Sequence, residues 1–282
     1  MRKEIQAINQ LCIHPFTHEN LVTVFQHDLL HQDQSTYFID TEYCFATFRD
    51  LINGKCTSIG LPDWPKSSID QRLAYLATKA MDHVLQGLQF IHERGKVHRD
   101  ITPKNCKRSL PVELNSVLYS YGKGLWKIAD VGLTSDGTTT LAIHTEGGYE
   151  TVGYKAPEIL LKQQFTNRSD IWAVGCILFD GCSSLRRAFS SDIETTRFAE
   201  RNGDMSLALD GLAEPRQSSL IELTRKTLDI NPGNRSSAED LRALLGKLYQ
   251  NQTENKPWGS LGWPKCQACR DRRKKVRDPC IL

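Results

Sequence analysis

The stretch from Ser68 to Arg94 constrains the fold more than any other part of the sequence. Apolar residues recur through it every three or four positions, which is the spacing of one helix face. These residues are Leu73, Leu76, Ala80, Val84, Leu88 and Ile91. The spacing predicts one long buried helix that ends at Gly95, because glycine suits the left-handed conformation after a helix. With 282 residues, 39% of them apolar, the chain can build a sizeable core around this helix.

Shorter segments around this helix indicate both types of secondary structure. Helical spacing of apolar residues recurs at Lys3–Cys12, from Ser169 onward, at Ser218–Leu228 and at Ser237–Leu248. Runs rich in β-branched and aromatic residues predict strands at Leu21–Gln26, Tyr37–Thr41, Ser116–Ser120 and Leu125–Ile128. A polar loop around His31–Ser35 joins the first two strands, and a turn at Tyr121–Gly124 joins the last two. Residues 130–158 show no period and are expected to form a long ordered loop.

The positive charge of the chain is concentrated at its C-terminal end. The net charge is +3, and Lys265–Leu282 holds seven Lys or Arg and two Asp, so this tail contributes +5 and the preceding residues −2. Nucleic-acid binding is therefore not expected of the body and would depend on the tail alone. No apolar run has the length of a transmembrane helix, so no membrane partner is expected. Six cysteines scattered through the body indicate a reducing, intracellular compartment, cytoplasmic or nuclear.

The segment Val97–Asn105 reads VHRDITPKN and holds a cluster of chemically useful side chains. Phosphoryl transfer needs a carboxylate near the attacking hydroxyl and hard oxygen ligands for a metal ion. Asp100 is a candidate for the carboxylate. Asn105 and Asp130 are candidate ligands of Mg²⁺, which prefers oxygen donors. Each motif alone is a common coincidence, since Asp-x-Gly at Asp130 usually marks only a turn.

The order of the motifs along the chain carries more information than any one of them. Asp100 and Asp130 are followed by Ala156-Pro-Glu158, then by Asp170-Ile-Trp-Ala-Val-Gly175, and then by Arg235 just before the last predicted helix. This ordered set resembles the eukaryotic protein kinase family, of the serine/threonine type and with a fungal-like style. The resemblance covers residues 1–250.

The resemblance implies an α+β, protein-kinase-like fold in three parts. Residues 1–45 correspond to a partial small lobe, one helix and two strands that run to the hinge. Residues 46–250 correspond to a mainly helical large lobe, and residues 251–282 to a linker and a basic tail that contains cysteines. The small lobe is expected to be incomplete, because the first strands of the family are missing from it.

The resemblance also implies a nucleotide site. Glu4 corresponds to the small-lobe helix glutamate that pairs with a strand lysine. Thr41, Glu42 and Cys44 correspond to the hinge that hydrogen-bonds adenine, with Thr41 at the gatekeeper position. The cofactors implied are ATP and Mg²⁺, with the metal held by Asn105 and Asp130.

In the large lobe, the resemblance assigns roles around the catalytic loop. Asp100 corresponds to the catalytic aspartate, and Arg99 to the arginine that meets a phosphorylated activation segment. Lys104 is a stand-in for the lysine that contacts the transferred phosphate. The remaining assignments are structural or regulatory: Thr151 in the substrate shelf, Glu158 and Arg235 as a buried ion pair, and Asp170 as a brace of the catalytic loop. The implied function is transfer of the ATP γ-phosphoryl group to Ser or Thr hydroxyls of protein substrates.

Departures from the family pattern leave a second interpretation open. No GxGxxG occurs in the sequence and only three residues precede Glu4, so the glycine-rich loop and the strand lysine are missing. The chain is then either a fragment of an active kinase or a pseudokinase that serves as a binding module without catalysis. An insertion, Cys106–Ser116, follows Asn105, and Val131 replaces the usual phenylalanine.

The tail suggests a further alternative. Cys266 and Cys269 form a Cys-x-x-Cys pair before a basic run, and Cys280 follows. This pattern is similar to the start of a fungal six-cysteine zinc cluster, which binds DNA. Three thiolates fall short of the four ligands of a structural zinc site, so zinc or DNA binding is the lesser alternative.

Overall fold

The computed structural model describes residues 2–13, 17–30, 33–103, 116–138, 141, 143–144, 152–183, 187–204 and 218–253. The α-helices, in chain order, are α1 (Arg2–Leu11), α2 (Phe48–Ile52), α3 (Ile69–Tyr75), α4 (Met81–Glu93), α5 (Pro157–Lys162), α6 (Asn167–Cys182), α7 (Asp192–Glu200), α8 (Ser218–Thr227) and α9 (Ala238–Thr253). The β-strands are β1 (Val24–Leu30), β2 (Asp33–Thr41), β3 (Ala46–Thr47), β4 (Lys96–Val97), β5 (Val117–Ser120), β6 (Leu125–Ile128), β7 (Ser135–Asp136), β8 (Ile143–His144) and β9 (Gln164–Phe165). Helices and small antiparallel sheets thus occur together, and the expected α+β class is confirmed.

Strands β1 and β2 form an antiparallel hairpin that is longer than the sequence predicted. The expected strands stopped at Gln26 and resumed at Tyr37, but the paired strands reach Leu30 and resume at Asp33. The predicted bounds were therefore wrong, and residues 33–35 of the expected polar loop belong to β2, whereas His31 and Gln32 lie outside the described residues. Several side chains of the hairpin are exposed, and on such faces polar residues are compatible with continued backbone pairing.

The segment before the hairpin is bonded to β6. The N–H of Val22 donates to the carbonyl of Ile128 at 2.8 Å, and the N–H of Ile128 donates to the carbonyl of Asn20 at 2.8 Å. On its other side, β6 pairs with β5 through the turn predicted at Tyr121–Gly124, and β5 also pairs with β3. Strand β6, which leads to Asp130, is therefore held from both sides.

The long helical stretch is interrupted in its middle. Ser68 and Gln71 form a capping box, in which each side chain accepts the backbone N–H of the other, and this begins α3. Between α3 and α4, Leu76–Ala80 form a π-helical turn, and the hydroxyl of Thr78 donates to the carbonyl four residues earlier. The prediction of one uninterrupted helix missed this turn, because such back-bonding leaves no trace in apolar spacing. The predicted end is confirmed, since α4 stops before Gly95, whose φ is +65°.

Helix α6 lies at the centre of the hydrophobic core. Every residue of it from Ser169 to Cys182 is buried, so this part of the helix has no solvent-facing side. The core extends from Ala7 in α1 to Leu245 in α9. Its fully buried side chains include three tryptophans, Trp64, Trp126 and Trp172. One apolar interior therefore extends from α1 to α9.

The segment expected to be a long loop contains short elements in the parts that the structure describes. Val131–Leu133 form a 3-10 turn, β7 pairs with β4, and β8 pairs with β9. Strands of two residues are too short for alternation to be visible in the sequence. Because Ser135 pairs with Val97, the chain after Asp130 lies directly beside the chain that leads to Asp100.

Candidate active site

The loop that carries Asp100 is held by one buried carboxylate. Asp170, in the first turn of α6, is 2% exposed and accepts the backbone N–H groups of His98 at 2.9 Å and Arg99 at 2.8 Å. The Nε2 atom of His92 lies 2.8 Å from the same carboxylate. Arg99 has φ of +77°, which is strained for a residue with a side chain. The hydrogen bonds that Asp170 accepts keep the loop in this conformation.

The ring of His98 connects this loop to the chain beside Asp130. His98 is fully buried; its Nε2 donates to the carbonyl of Ala129 at 3.1 Å and its Nδ1 accepts the N–H of Asp100 at 3.4 Å. A single tautomer satisfies both contacts, because a carbonyl only accepts. The imidazole therefore couples the backbone positions of the two candidate carboxylates.

Asp130 follows β6 in a left-handed conformation, with φ of +59°. Its carboxylate accepts the N–H of Gly132 at 3.3 Å. The next residue, Val131, is 4% exposed, and its 3-10 turn packs against α1. Within the described residues no group of three or more His, Cys, Asp or Glu side chains could hold a metal ion. A cation bound at Asp130 therefore needs oxygen ligands from elsewhere.

Asp100 borders a shallow cleft that is open to solvent. Its walls come from the catalytic loop, from α6 and from the residues around α5, and they include Tyr154, Lys155, Ile159 and Phe165. The loop beyond Asp100 is braced by Ser116, whose Oγ donates to the Asp100 carbonyl at 2.7 Å and accepts the N–H of Thr102 at 2.7 Å. The cleft lies directly beside Asp100.

The side chain of Arg99 points toward the segment that follows Asp130. Its Nη1 donates to the carbonyl of Leu133 at 3.3 Å and to the hydroxyl of Ser135 at 2.9 Å. The guanidinium carbon also lies 4.4 Å from the ring centroid of Phe165. Arg99 thus joins the loop of Asp100 to the segment that follows Asp130.

The hinge between β2 and β3 is anchored at both ends by backbone bonds. The N–H of Glu42 donates to the carbonyl of Thr23 at 2.9 Å, and the N–H of Phe45 donates to the carbonyl of Tyr119 at 2.9 Å. Between these anchors, Tyr43 is 79% exposed. The hinge therefore reaches the surface of the domain at Tyr43.

The two other hinge residues named by the sequence lie in different surroundings. Thr41 ends β2 and is exposed. Cys44 is partly buried, and burial raises the pKa of its thiol to about 11, so the thiol is uncharged at neutral pH. Within the described chain, no backbone carbonyl accepts a hydrogen bond from the N–H of Cys44.

A buried lysine that sequence reasoning missed lies behind the hinge. The Nζ of Lys127, in β6, donates to the Oε1 of Glu42 at 2.5 Å and to the carbonyl of Leu21 at 2.9 Å. The same Oε1 accepts the N–H of Thr23 at 2.8 Å. Burial alone raises the pKa of Glu42, but the bonds from Lys127 and Thr23 outweigh it and hold the pKa below its ordinary value. Glu42 is thus a charged carboxylate at neutral pH.

The apolar pattern of β6 did not indicate that Lys127 is buried. Lys127 stands between Trp126 and Ile128, and strand alternation then predicts that it points to solvent. The chain before β1 and the hinge cover that face, so its side chain is fully buried. Only the pairing of distant segments places a carboxylate there, and no local signal in the sequence indicates it.

Glu158 and Arg235 form a bidentate ion pair, with N–O distances of 2.7 and 2.8 Å. The hydroxyl of Ser169 donates to Glu158 at 2.8 Å, and Arg235 also donates to the carbonyls of Asp229 and Arg168. The pair joins the start of α5 to the turn before α9. Its geometry satisfies the guanidinium and the carboxylate together, as a buried pair requires.

Another buried carboxylate lies under the segment before α5. Asp180, which is 2% exposed, accepts the hydroxyl of Tyr154 at 2.6 Å and the N–H of Ala188 at 3.0 Å. Arg49, in α2, donates to the Tyr154 hydroxyl at 3.1 Å. Burial raises the pKa of Asp180 above its ordinary value, although the two hydrogen bonds act in the opposite direction. Sequence reasoning did not name this cluster, because its members are far apart in the chain.

Several residues named by the sequence lie outside the described residues. They are Lys104, Asn105, Thr151, the side chain of Glu4, the insertion up to Asn115, and the tail with Cys266, Cys269 and Cys280. Among the helices that are described, none is both long enough and apolar enough to span a membrane.

Comparison with known proteins identifies the family. The protein kinase domain model matches residues 1–244. The chain is 27% identical over 253 residues to the eukaryotic translation initiation factor 2-alpha kinase pek-1 of Caenorhabditis elegans, which covers 85% of this chain and 21% of that protein. It is 30% identical over 200 residues to the serine/threonine-protein kinase ICK of Mus musculus, which covers 68% of this chain and 25% of that protein. It is 25% identical over 239 residues to the serine/threonine-protein kinase Nek9 of Xenopus laevis, and the match covers 83% of this chain and 22% of that protein.

The chain spans about a fifth to a quarter of the length of these relatives. The family model nevertheless covers most of this chain, from its first residue into α9. The chain therefore belongs to the protein kinase family, and relatives of the serine/threonine type are among its matches.

Proposed function

We propose that this chain transfers the γ-phosphoryl group of ATP to Ser or Thr hydroxyls of protein substrates. The observation that carries the proposal is the arrangement of Asp100 and Asp130. Their backbones are joined through the His98 ring, and the loop of Asp100 is held by the buried Asp170. Phosphoryl transfer depends mostly on positioning and charge neutralisation, so a rigid pair of carboxylates supports it.

The residues of the chain fit the nucleotide that kinase domains use. We assign adenine to the hinge backbone at Glu42–Cys44, which is supported by the anchored ends of the hinge and by the absence of a described backbone partner for the Cys44 N–H. We assign a metal ligand role to Asp130, because the N–H of Gly132 is its one hydrogen-bond donor among the described residues. Asn105 is proposed as the second metal ligand and Lys104 as the phosphate contact. Bound Mg²⁺ neutralises charge on the phosphate oxygens.

The protein substrate is proposed to enter the cleft beside Asp100. Asp100 orients the attacking hydroxyl and accepts its proton as the oxygen forms a bond to the γ-phosphorus and the bond to the ADP oxygen breaks. Tyr154 and Lys155 line the cleft and follow closely in sequence after Thr151, which we assign to the substrate shelf. Tyr154 donates a hydrogen bond to Asp180, and Lys155 forms an ion pair with Asp192 at 3.0 Å. Both contacts support a firmly held shelf.

An activity measurement tests this proposal. The full chain is incubated with radiolabelled ATP, Mg²⁺ and a mixture of unstructured proteins, and the labelled amino acids are identified. Wild type is expected to label Ser and Thr, and Asp100→Asn is expected to reduce the rate at least about a hundredfold, in line with loss of a general base. Asp63→Asn is the matched control, because that carboxylate makes only a surface ion pair with Lys66.

The outcomes separate the candidate functions. Labelling by wild type and by Asp63→Asn, but not by Asp100→Asn, supports the proposal. If wild type binds ATP but labels nothing, the chain is a nucleotide-binding pseudokinase. If it neither labels proteins nor binds ATP, the proposed function fails. The free thiols of Cys12, Cys56 and Cys176 support the accompanying proposal of an intracellular location, cytoplasmic or nuclear.

A further inference from the structure

The ion pair between Lys127 and Glu42 is buried, and a buried ion pair contributes little to the free energy of unfolding. The Lys127 side chain is fully buried, and the Glu42 side chain is 9% exposed. Burial of two charges costs about as much as their attraction returns, so an apolar pair of similar volume would stabilise the fold at least as well. The position of this pair therefore calls for a reason other than stability.

The contacts of Lys127 join three separate segments of the chain. Its ammonium group holds Leu21, before β1, and Glu42, in the hinge, while its own backbone lies in β6. By contrast, Lys123 approaches the other oxygen of Glu42 at 3.3 Å with a side chain that is 52% exposed. Lys127 is thus the buried partner of the carboxylate, and Lys123 is its surface partner.

Both ends of this bridge lead directly to the proposed nucleotide site. Lys127 is in β6, which leads to Asp130, the proposed metal ligand, and Glu42 is in the same hinge as Cys44, the proposed adenine contact. We propose that Lys127 is a positioning residue that sets the distance between the adenine-binding hinge and Asp130. This inference rests on the proposed function, since it assigns a role within the same site. Small displacements of positioned groups are costly to binding and catalysis, so loss of the bridge weakens use of ATP.

The first test compares Lys127→Met with the matched control Lys123→Met in the full chain. Lys127→Met is expected to raise the KM for ATP about tenfold and to leave the KM for protein substrate within about twofold. Lys123→Met is expected to change both constants by less than about twofold, because it removes only a surface contact. A merely structural defect would lower the active fraction, and hence kcat, without changing the KM for ATP. Equal KM values for ATP in all three proteins would overturn the inference.

A double variant separates positioning from stability. Lys127→Met leaves the carboxylate of Glu42 buried without its main partner, which lowers the melting temperature. In Glu42→Gln with Lys127→Met this unpaired charge is removed, so the melting temperature is expected to recover while the KM for ATP stays raised. If the KM returns to the wild-type value together with the melting temperature, Lys127 acts through stability only. The double variant also supplies the KM measurement if Lys127→Met alone does not fold.

Titration with a fluorescent ATP analogue and Mg²⁺ separates this inference from the proposed function. If wild type binds no nucleotide, the proposed function itself fails. If wild type binds the analogue and Lys127→Met binds it with equal affinity, only the positioning role fails. Weaker binding by Lys127→Met, with Lys123→Met unchanged, supports both.

Discussion

Buried carboxylates organise this domain at the scale of single residues, and each has a different set of partners. Asp170 accepts backbone N–H groups, Glu158 accepts an arginine fork, and Glu42 accepts a lysine and one backbone N–H. In each case the donors come from segments distant in sequence. These carboxylates therefore hold separate segments of the chain together. Asp170 holds the loop that carries Asp100, and the partner of Glu42, Lys127, lies three residues before Asp130.

The lowered pKa of Glu42 predicts how stability depends on pH. A carboxyl whose pKa is lower in the folded state stabilises the fold fully above its unfolded pKa, about 4.3, and loses this contribution as the pH falls through the folded value. Wild type is therefore expected to lose stability relative to Glu42→Gln as the pH is lowered from about 4.3. Urea unfolding of both proteins between neutral and acid pH measures the difference.

An exposed carboxyl provides the control for this measurement. Glu200 is exposed at the end of α7, so the free energy of unfolding of Glu200→Gln is expected to follow that of wild type across the whole range. A difference between wild type and Glu42→Gln that does not vary with pH would contradict the assignment of a charged, bonded carboxylate at Glu42.

At the scale of secondary structure elements, substitutions at two glycines test the close contact between α6 and α8. A Cβ at Gly175 in α6 would lie 2.4 Å from Oγ1 of Thr227 in α8, whereas a Cβ at Gly246 in α9 would meet no atom within 4 Å. Gly175→Ala is expected to destabilise by about 1–3 kcal/mol through overpacking. Gly246→Ala is expected to stabilise by up to about 1 kcal/mol, since alanine is the better helix former. Denaturant unfolding measures both, and equal stabilisation would contradict the contact between α6 and α8.

The elements that the sequence predicted well are those with a strong local pattern. The helices α4 and α8 follow their apolar spacing, and the turn between β5 and β6 follows its glycines, Gly122 and Gly124. The hairpin bounds and the π-helical turn were not predictable in this way, because hydrogen bonds decide them and apolar residues do not. The two-residue strands β4, β7, β8 and β9 carry no period at all.

The candidate site divides along the same line. Motif order identified Asp100, Asp130 and Asp170 because each stands in a short local pattern. The sequence analysis did not name Lys127 and Asp180. Their partners lie far away in the chain, and both residues have apolar neighbours in the sequence. In a strand, the alternation rule predicts that a charged residue between apolar neighbours is exposed, and only tertiary contacts show that it is buried.

At the scale of the whole molecule, one apolar interior connects the hinge, the catalytic loop and the C-terminal helices. The core cluster includes Leu21 beside the hinge, Ile101 beside Asp100 and Leu241 in α9. A ligand that contacts the hinge and Asp130 together is therefore expected to stabilise the entire domain, because its binding sites share that interior.

This coupling leads to a prediction for nucleotide and metal. At about a hundredfold excess over its Kd, a ligand stabilises the folded state by about 2.7 kcal/mol, which corresponds to a rise in melting temperature of about 5–10 °C for a domain of this size. ATP with Mg²⁺ is expected to give such a rise, and ATP with a chelator is expected to give a smaller one, because Asp130 then faces the phosphates without a cation. Thermal unfolding with and without Mg²⁺ measures the difference between the two conditions.

The variant Asp130→Asn shows whether that difference arises at the proposed site. Without its charge, residue 130 is a weaker ligand for Mg²⁺, so the additional rise due to the metal is expected to disappear while the rise due to ATP alone remains. Asp63→Asn, at a surface ion pair remote from the hinge in sequence, is expected to keep the full effect of Mg²⁺. If Asp130→Asn also keeps it, the metal binds elsewhere, and the assignment of Asp130 as a metal ligand is wrong.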